Sequence, residues 1–170
     1  MSWRDNRTHW EGWARSVDPA IRLVDKESSP LMRAYARLPW LGDEFLTRTA
    51  SVIGARIYLT RGGDAEHDIA HEGRHVRQKR WCSLGLSPWL GWPVFAVLCV
   101  FVLPAGLTAR FWFEMDAEAF ALKQKVRTGS SVAWARHSLE EFAELLCGGD
   151  YVWAWWPRRW AKKIAGLWKF

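Results

Sequence analysis

The 170-residue chain is predicted to fold as one α+β domain that is mostly helical and contains a small sheet. Apolar residues recur at helical spacing in several segments, whereas residues 51–60 are rich in β-branched and aromatic residues and are followed by a turn. The length suits a single domain with its own core, and no internal repeat or low-complexity linker divides residues 1–170.

Two short helices are predicted before this stretch. Ser29 followed by Pro30 is typical of a helix start, and Pro39 ends that helix. A second helix is predicted from Asp43 to about Thr49. Both helices are expected to shield the sheet or the helix that follows it.

Residues 51–60 are predicted to form one strand, closed by a turn at residues 61–63. A helix can begin directly afterwards, because Asp64 is a suitable N-cap. An apolar stripe is formed at helical spacing by Ile69, Gly73 and Val76. A glycine inside a helix costs about 1 kcal/mol relative to alanine, so Gly73 indicates that another element packs closely there.

This helix contains the sequence His71-Glu72-Gly73-Arg74-His75, which has the form H-E-x-x-H. Histidines four residues apart lie on one helical face with Cβ atoms roughly 5–6 Å apart, so both imidazoles can bind one tetrahedral metal ion. Glu72 can then accept a proton from a water molecule at the metal as that water attacks a carbonyl. The motif predicts hydrolysis of peptide bonds, provided that a third ligand is found.

The third ligand is expected from a second helix, predicted from Thr108 to about Arg127. Glu114 and Glu118 lie on one stripe of that helix, whereas Asp116 is rotated by about 200° from each of them. One carboxylate can complete a site of two histidines and one glutamate, and another can orient a ligand histidine through its other ring nitrogen.

The segment from Phe113 to Phe120, F-E-M-D-A-E-A-F, resembles the F-E-x-x-A-D-A-[FY] segment that follows H-E-x-x-H in membrane zinc endopeptidases of the CAAX-prenyl-protease and HtpX type, within the gluzincin group. The resemblance covers about residues 50–125 and implies a minimal zincin-like domain. It implies one zinc ion per chain, bound by His71, His75 and Glu114. Glu118 would support a ligand histidine, although the family pattern has aspartate there.

The same resemblance implies that Glu72 is the general base and that the strand before the active-site helix holds an extended peptide by strand addition. His137 is a candidate oxyanion stabiliser, because zinc peptidases often use a nearby His, Tyr or Arg for this role. Arg110 is interpreted as a partner of Glu114, as a substrate-binding residue or as a surface charge. His67 is predicted to be a surface histidine rather than a metal ligand.

Between the two motifs lies a hydrophobic insertion, residues 81–109, which contains 29 consecutive residues without a charge or a histidine. Its hydropathy predicts a membrane span, which takes about 20 apolar residues. A single pass would separate the two histidines from Glu114, and two passes need about 40 residues. Three alternatives remain: a helix buried in the protein, a short hairpin bent near Pro93 or Pro104 in one leaflet, or a metal site that does not assemble.

The final helix is predicted from a capping box at Ser138-Leu139-Glu140-Glu141 to a stop at Gly148-Gly149. The C-terminal tail, residues 151–170, then combines five cations with five tryptophans and no acid. This composition favours an amphipathic helix lying on an anionic membrane surface, and the alternative is a last helix packed on the domain. The net charge of +6 also favours an acidic surface or anionic lipid, and nucleic-acid binding ranks below membrane binding.

Three widely spaced cysteines (Cys82, Cys99, Cys147) form no C-x-x-C pair and are expected to be reduced, buried thiols. The N-terminus shows no apolar segment of a secretory signal. Both observations predict a cytoplasmic or peripheral membrane protein.

The predicted function is that of a zinc metalloendopeptidase acting on a peptide or protein substrate. The rival prediction is a catalytically inactive protein of the same fold that binds a membrane, or an unidentified protein partner, through its tail.

Overall fold

This computed structural model describes residues 3–38, 44–100, 105–147, 162–163 and 165–170. Within these residues, seven α-helices and a three-stranded sheet make up most of the regular structure. The strands are Arg22–Asp25 (β1), Ser51–Ile53 (β2) and Arg56–Leu59 (β3). The helices are Arg7–Val17 (α1), Pro30–Ala36 (α2), Glu44–Arg48 (α3), Ala65–Cys82 (α4), Pro88–Val100 (α5), Ala105–Arg127 (α6) and Val132–Leu146 (α7). The predicted class, mostly helical α+β, is confirmed.

The sheet has the strand order β1-β3-β2, with β1 parallel and β2 antiparallel to β3. The single strand predicted for residues 51–60 is therefore wrong, because the chain reverses within it. Gly54 has a φ of +58°, a conformation that glycine adopts without strain, and forms a tight turn with Ala55. The ring of Trp89 fills the space where a side chain at position 54 would lie.

Helix α4 separates two apolar cores. The first is shared by α1, the sheet and one face of α4, and its buried residues include Leu23, Ile57, Ile69 and Val76. The second lies between α6 and α7 and is built mainly from Phe111, Met115, Leu122, Leu139 and Leu146. The functional face of α4 is therefore held between two separately packed layers.

The start and the apolar stripe of α4 agree with the prediction. The Asp64 carboxylate caps the helix by accepting a hydrogen bond from the His67 amide at 3.2 Å. Ile69, Gly73 and Val76 are all buried. A Cβ atom at Gly73 would come within 2.9 Å of Val17 Cγ1, so α1 packs closely at this glycine, as expected.

Helix α7 begins seven residues earlier than predicted. Ser131 is its N-cap and accepts a hydrogen bond from the Trp134 amide at 3.1 Å, so Ser138 lies inside the helix and the capping-box prediction is wrong. Ser131 supplies the same kind of acceptor directly after the turn at Gly129, whose φ of +120° helps to end α6. The predicted stop at residues 148–149 lies outside the described residues.

The short helices before the sheet are also present. The Ser29 side chain caps α2 by accepting from the Met32 amide, and Pro30 is the first residue of that helix. Helix α3 covers most of the second predicted helix. Pro39 and Asp43 lie outside the described residues.

The hydrophobic insertion is divided between the end of α4, helix α5 and the start of α6, with residues 101–104 outside the described part. Gly91 of α5 lies directly on the backbone carbonyl of Lys79, so α5 packs tightly against α4. Among the described helices none is both long and apolar enough to cross a bilayer. The alternative of a buried helix holds only in part, because Trp89, Leu90, Val94 and Val97 are exposed.

Of the C-terminal tail, only residues 162–163 and 165–170 are described. Ala165 is buried in the second core, and Trp168 and Phe170 pack against it. The Trp168 ring lies 5.3 Å from the ring of Trp112 on α6. The end of the tail, including Trp168 of the predicted membrane-binding face, therefore packs on the domain, whereas residues 151–161 and 164 lie outside the described residues.

Two lysines that the sequence reasoning did not single out are buried behind the edge strand β2. Lys26 Nζ donates hydrogen bonds to the Thr49 carbonyl at 2.7 Å and to Ser51 Oγ at 2.8 Å. Lys79 Nζ donates to the Val52 carbonyl at 3.3 Å. Both lysines thus fix residues 49–52 against the body of the protein.

Burial lowers the pKa of Lys26 to about 8, although the charges of Glu72 and Asp68 oppose this shift. Between that value and the ordinary pKa of 10.5 the unfolded chain binds more protons than the folded one, so this residue makes stability rise with pH. We expect Lys26→Met to lack this rise. Urea unfolding of the wild type and of Lys26→Met at about pH 8 and about pH 10 measures how the free energy of unfolding changes with pH. The same change in both proteins would contradict the lowered pKa of Lys26.

Candidate metal centre

Helices α4 and α6 lie side by side and bring together the two histidines of the motif and one acid. His71 Nε2 lies 3.4 Å from Glu114 Oε2, and His75 Nε2 lies 3.5 Å from the same oxygen. The ligand atoms of the three residues all lie within 4.8 Å of one another. Residues predicted from two motifs 39 positions apart therefore meet at one point.

The spacing fits a shared metal ion better than a set of hydrogen bonds. Nitrogen-to-oxygen hydrogen bonds are usually about 2.7–3.2 Å long. Bonds of about 2.0–2.1 Å to a tetrahedral zinc ion place neighbouring ligand atoms roughly 3.3–3.4 Å apart. The two distances to Glu114 match the second value, so His71, His75 and Glu114 could hold a metal ion.

The outer nitrogen of His71 is fixed by the acid predicted for that role. His71 Nδ1 lies 3.0 Å from Glu118 Oε2. An ionised carboxylate only accepts hydrogen bonds, so Nδ1 carries the proton and, in the neutral ring, Nε2 presents its lone pair to the site. The extra methylene of glutamate does not prevent this contact.

Gln78 fixes the second histidine. His75 Nδ1 lies 2.7 Å from Gln78 Oε1, while Gln78 Nε2 donates to the Phe113 carbonyl and to the Asp116 carboxylate at 3.1 and 2.8 Å. Because both of those partners are acceptors, the amide orientation is determined and its oxygen must face His75. His75 Nδ1 is then the donor, and its Nε2 also points a lone pair toward Glu114.

Asp116 takes part in this support although it lies off the ligand stripe. Its carboxylate is bound by Arg74 through two hydrogen bonds of 2.7 and 3.0 Å. The pair joins α4 to α6 and holds Gln78 in place. The contact of Gln78 with His75 could have been inferred from sequence, since Gln78 shares the helical stripe of the two histidines. The contact between Arg74 and Asp116 could not, because the two residues are 42 positions apart and no local sequence pattern indicates their pairing.

The electrostatics of the site favour positive charge. Burial opposes protonation of His71, yet the nearby carboxylates of Glu114 and Glu118 and the charge of Glu72 raise its pKa to about 10. Burial would raise the pKa of both glutamates, but the neighbouring histidines hold both values well below the ordinary range. Two ionised carboxylates in a poorly solvated place stabilise a cation, whether a proton or a metal ion.

The three residues and Glu72 line an open cavity of about 580 Å³. One wall is formed by residues 49–52, which include part of the edge strand β2. Aromatic side chains contribute to the rest of the lining, namely Trp92, Phe95 and Phe142. A volume of this size can hold several atoms on each side of a peptide bond, and the three candidate ligands open into it.

The prediction of a surface position for His67 holds only in part. Its side chain is only 28% exposed, and its Nε2 lies 3.2 Å from Glu118 Oε2. His67, His71 and Glu118 could also surround an ion, but their separations of 3.0 and 3.2 Å are hydrogen-bond lengths. Tertiary contact with α6 partly covers a side chain that its place in the first turns of α4 had suggested to be exposed.

Two other basic side chains were assigned roles from the sequence. His137 lies outside the lining of the cavity: its side chain is 71% exposed and lies 3.4 Å from Glu141. It does not line the cavity, so the structure does not support its predicted oxyanion role. Arg110 lines the cavity and lies 3.9 Å from Glu114, which agrees with its interpretation as a partner of that acid.

Comparison of the chain with known protein families, curated proteins and solved structures found no match. The resemblance to gluzincins therefore stays a prediction that depends on the two motifs, and the function has to be inferred from the geometry of the centre.

Proposed function

We propose that this protein is a zinc-dependent metalloendopeptidase. The main supporting observation is that Glu114 Oε2 lies 3.4 and 3.5 Å from the inner nitrogens of His71 and His75. Each outer nitrogen is bonded to an acceptor, and the group opens into a cavity that Glu72 also lines. This is the arrangement of a catalytic rather than a structural centre, since three protein ligands leave one position open.

Zinc bound there would lower the pKa of a water molecule and polarise a peptide carbonyl. Glu72 lines the same cavity as the three candidate ligands and is not needed as one of them. In the proposed reaction Glu72 takes a proton from the attacking water and returns it to the leaving amine. Arg110 also lines the cavity, and we assign it the role of stabilising the oxyanion or holding a substrate carbonyl.

The proposed substrate is an extended peptide. β2 is an edge strand of the sheet, and residues 49–52 form a wall of the cavity. An edge strand can pair with an added strand through its outward backbone groups. Lys79 already binds the Val52 carbonyl, so the peptide is expected to pair with the edge on the side of Ala50.

The proposal is tested with full-length protein loaded with zinc and incubated with a mixed peptide library, whose fragments are read by mass spectrometry. Cleavage that stops with a zinc chelator and returns with added zinc is expected. Intact peptides with a protein that demonstrably holds zinc would contradict the proposal. A protein that stays free of metal in zinc-rich medium would instead favour the rival function, an inactive protein of this fold.

Gln78 provides a sharper test of how the centre is built. Gln78→Leu removes the acceptor of His75 Nδ1, so the ring is no longer held with its lone pair toward the metal. We expect zinc affinity to fall by about 10-fold to 100-fold. Competition with a chromophoric chelator measures this change. Gln124→Leu, on α6 and outside the cavity lining, is the matched control and should bind zinc as the wild type does; equal affinities for all three proteins would refute the role of Gln78.

A further inference from the structure

An unusual apolar surface lies where α4 ends and α5 begins. We call it the α4–α5 corner and define it by eight large apolar side chains that are each 42% to 94% exposed: Trp81, Leu84, Leu86, Trp89, Leu90, Trp92, Val94 and Val97. Single exposed apolar residues are normal on protein surfaces, but a concentration within 17 consecutive residues indicates an interaction site.

At the tip of the corner, residues 83–87, the backbone conformation holds an apolar side chain in the solvent. Leu84 has a φ of +55° and is 94% exposed, the highest value among the exposed apolar residues of the described chain. A left-handed conformation is unfavourable for leucine, and exposure of its side chain to water is also unfavourable. The loop is nevertheless fixed, since the Gly85 amide donates to the Arg80 carbonyl at 2.9 Å and the Ser87 amide donates to Ser83 Oγ at 3.0 Å.

The base of the corner is rigid. Gly91 allows α5 to lie directly on the backbone of α4 at Lys79. The Trp89 ring is held on the hairpin turn at Gly54, with the guanidinium of Arg56 5.8 Å above it. The apolar side chains are thus presented on a fixed platform rather than on a loose loop.

The charged residues near the corner indicate which kind of partner it binds. From Gly73 to Phe113 the chain has no acidic residue and five cations. Lys79 is buried and Arg110 lines the metal-centre cavity. The other three, Arg74, Arg77 and Arg80, border the hollow that Trp81 and Gly85 also line. Arg74 and Arg80 are paired with Asp116 and Asp18, whereas Arg77 is exposed beside the same hollow as Trp81 and Gly85. Tryptophans and a cationic border next to apolar side chains are typical of the boundary between lipid headgroups and acyl chains.

We propose that the α4–α5 corner docks the protein on the surface of an anionic lipid bilayer. Leu84, Leu86 and Trp81 enter the boundary between headgroups and acyl chains, and the basic end of α4 contacts the headgroups. Trp92 belongs to the corner and also lines the metal-centre cavity, so docking brings that cavity close to the lipid surface. Docking itself is independent of the proposed peptidase activity.

The test is flotation of the full-length protein with vesicles of phosphatidylcholine and phosphatidylglycerol in equal parts, compared with vesicles of pure phosphatidylcholine. We expect binding to the anionic vesicles that weakens with added salt. Leu84→Asn combined with Leu86→Asp should reduce partitioning by about tenfold or more. Asparagine tolerates the left-handed backbone of position 84, so this variant is expected to fold.

The matched control combines Leu31→Asn with Leu145→Asp, two exposed leucines outside the corner, and should bind as the wild type does. A second comparison, Trp155→Ser combined with Trp156→Ser, tests the C-terminal tail. Failure of the wild type to bind, equal loss in the control, or loss in the tail variant with retention in the corner variant would each overturn the proposal. Self-association through the corner without vesicle binding, measured by light scattering, would overturn it as well.

Discussion

Replacing Glu72 with glutamine is expected to abolish peptide hydrolysis while leaving bound zinc in place. Glutamine has nearly the same shape as glutamate but cannot take a proton from water, and loss of a general base costs about 100-fold to 10,000-fold in rate. Zinc should remain because Glu72 lies outside the group that could hold the ion, which consists of His71, His75 and Glu114. The rate with a peptide from the library and the zinc content of the same sample together test this separation.

The control for Glu72→Gln is Glu66→Gln, which changes another acid of α4. Glu66 binds Lys125 and Thr128 at the far side of the helix start and does not line the cavity. This control should keep both its zinc and its activity. An active Glu72→Gln protein would contradict the proposed role, and loss of zinc in that variant would mean that Glu72 helps to hold the metal.

Replacing His75 with alanine is expected to remove the zinc. Two ligands from α4 and one from α6 converge on the centre, and loss of one leaves His71 and Glu114 alone. Because the binding free energy of zinc is shared among few ligands, we expect a loss of affinity of about a thousandfold. Metal analysis after dialysis measures the loss directly.

A second readout of the same variant is thermal unfolding. A ligand that binds only the folded protein raises its stability, so added zinc should raise the Tm of the wild type but not that of His75→Ala. His137→Ala is the control, because this exposed histidine lies outside the cavity lining and should leave both readouts unchanged. Full zinc content in His75→Ala would show that the ion is held elsewhere.

The local parts of the metal centre could be predicted from sequence because they depend on helix geometry. Residues four apart share a face in any α-helix, so the pairing of His71 with His75 and of Glu114 with Glu118 follows from spacing alone. The requirement that His71, His75 and Glu114 meet at one ion also argued against a single membrane pass between the two motifs. The structure has α4 and α6 side by side, as that reasoning required.

The remaining features depend on contacts between distant segments. The ion pair of Arg74 with Asp116 and the burial of His67 against Glu118 arise only when α6 packs on α4. Lys26 is buried because its chain reaches the carbonyl of Thr49, 23 residues away. Some local sequence patterns also allowed more than one interpretation. Ser131 rather than Ser138 caps α7, and the chain turns at Gly54, so the single predicted strand is a hairpin.

The most direct test of the proposed centre is anomalous X-ray scattering at the zinc absorption edge, from crystals of the full-length protein loaded with zinc. We predict one peak per chain, about 2.0–2.2 Å from His71 Nε2, His75 Nε2 and a Glu114 carboxylate oxygen. The absence of a peak there, or a peak among His67, His71 and Glu118 instead, would contradict the account.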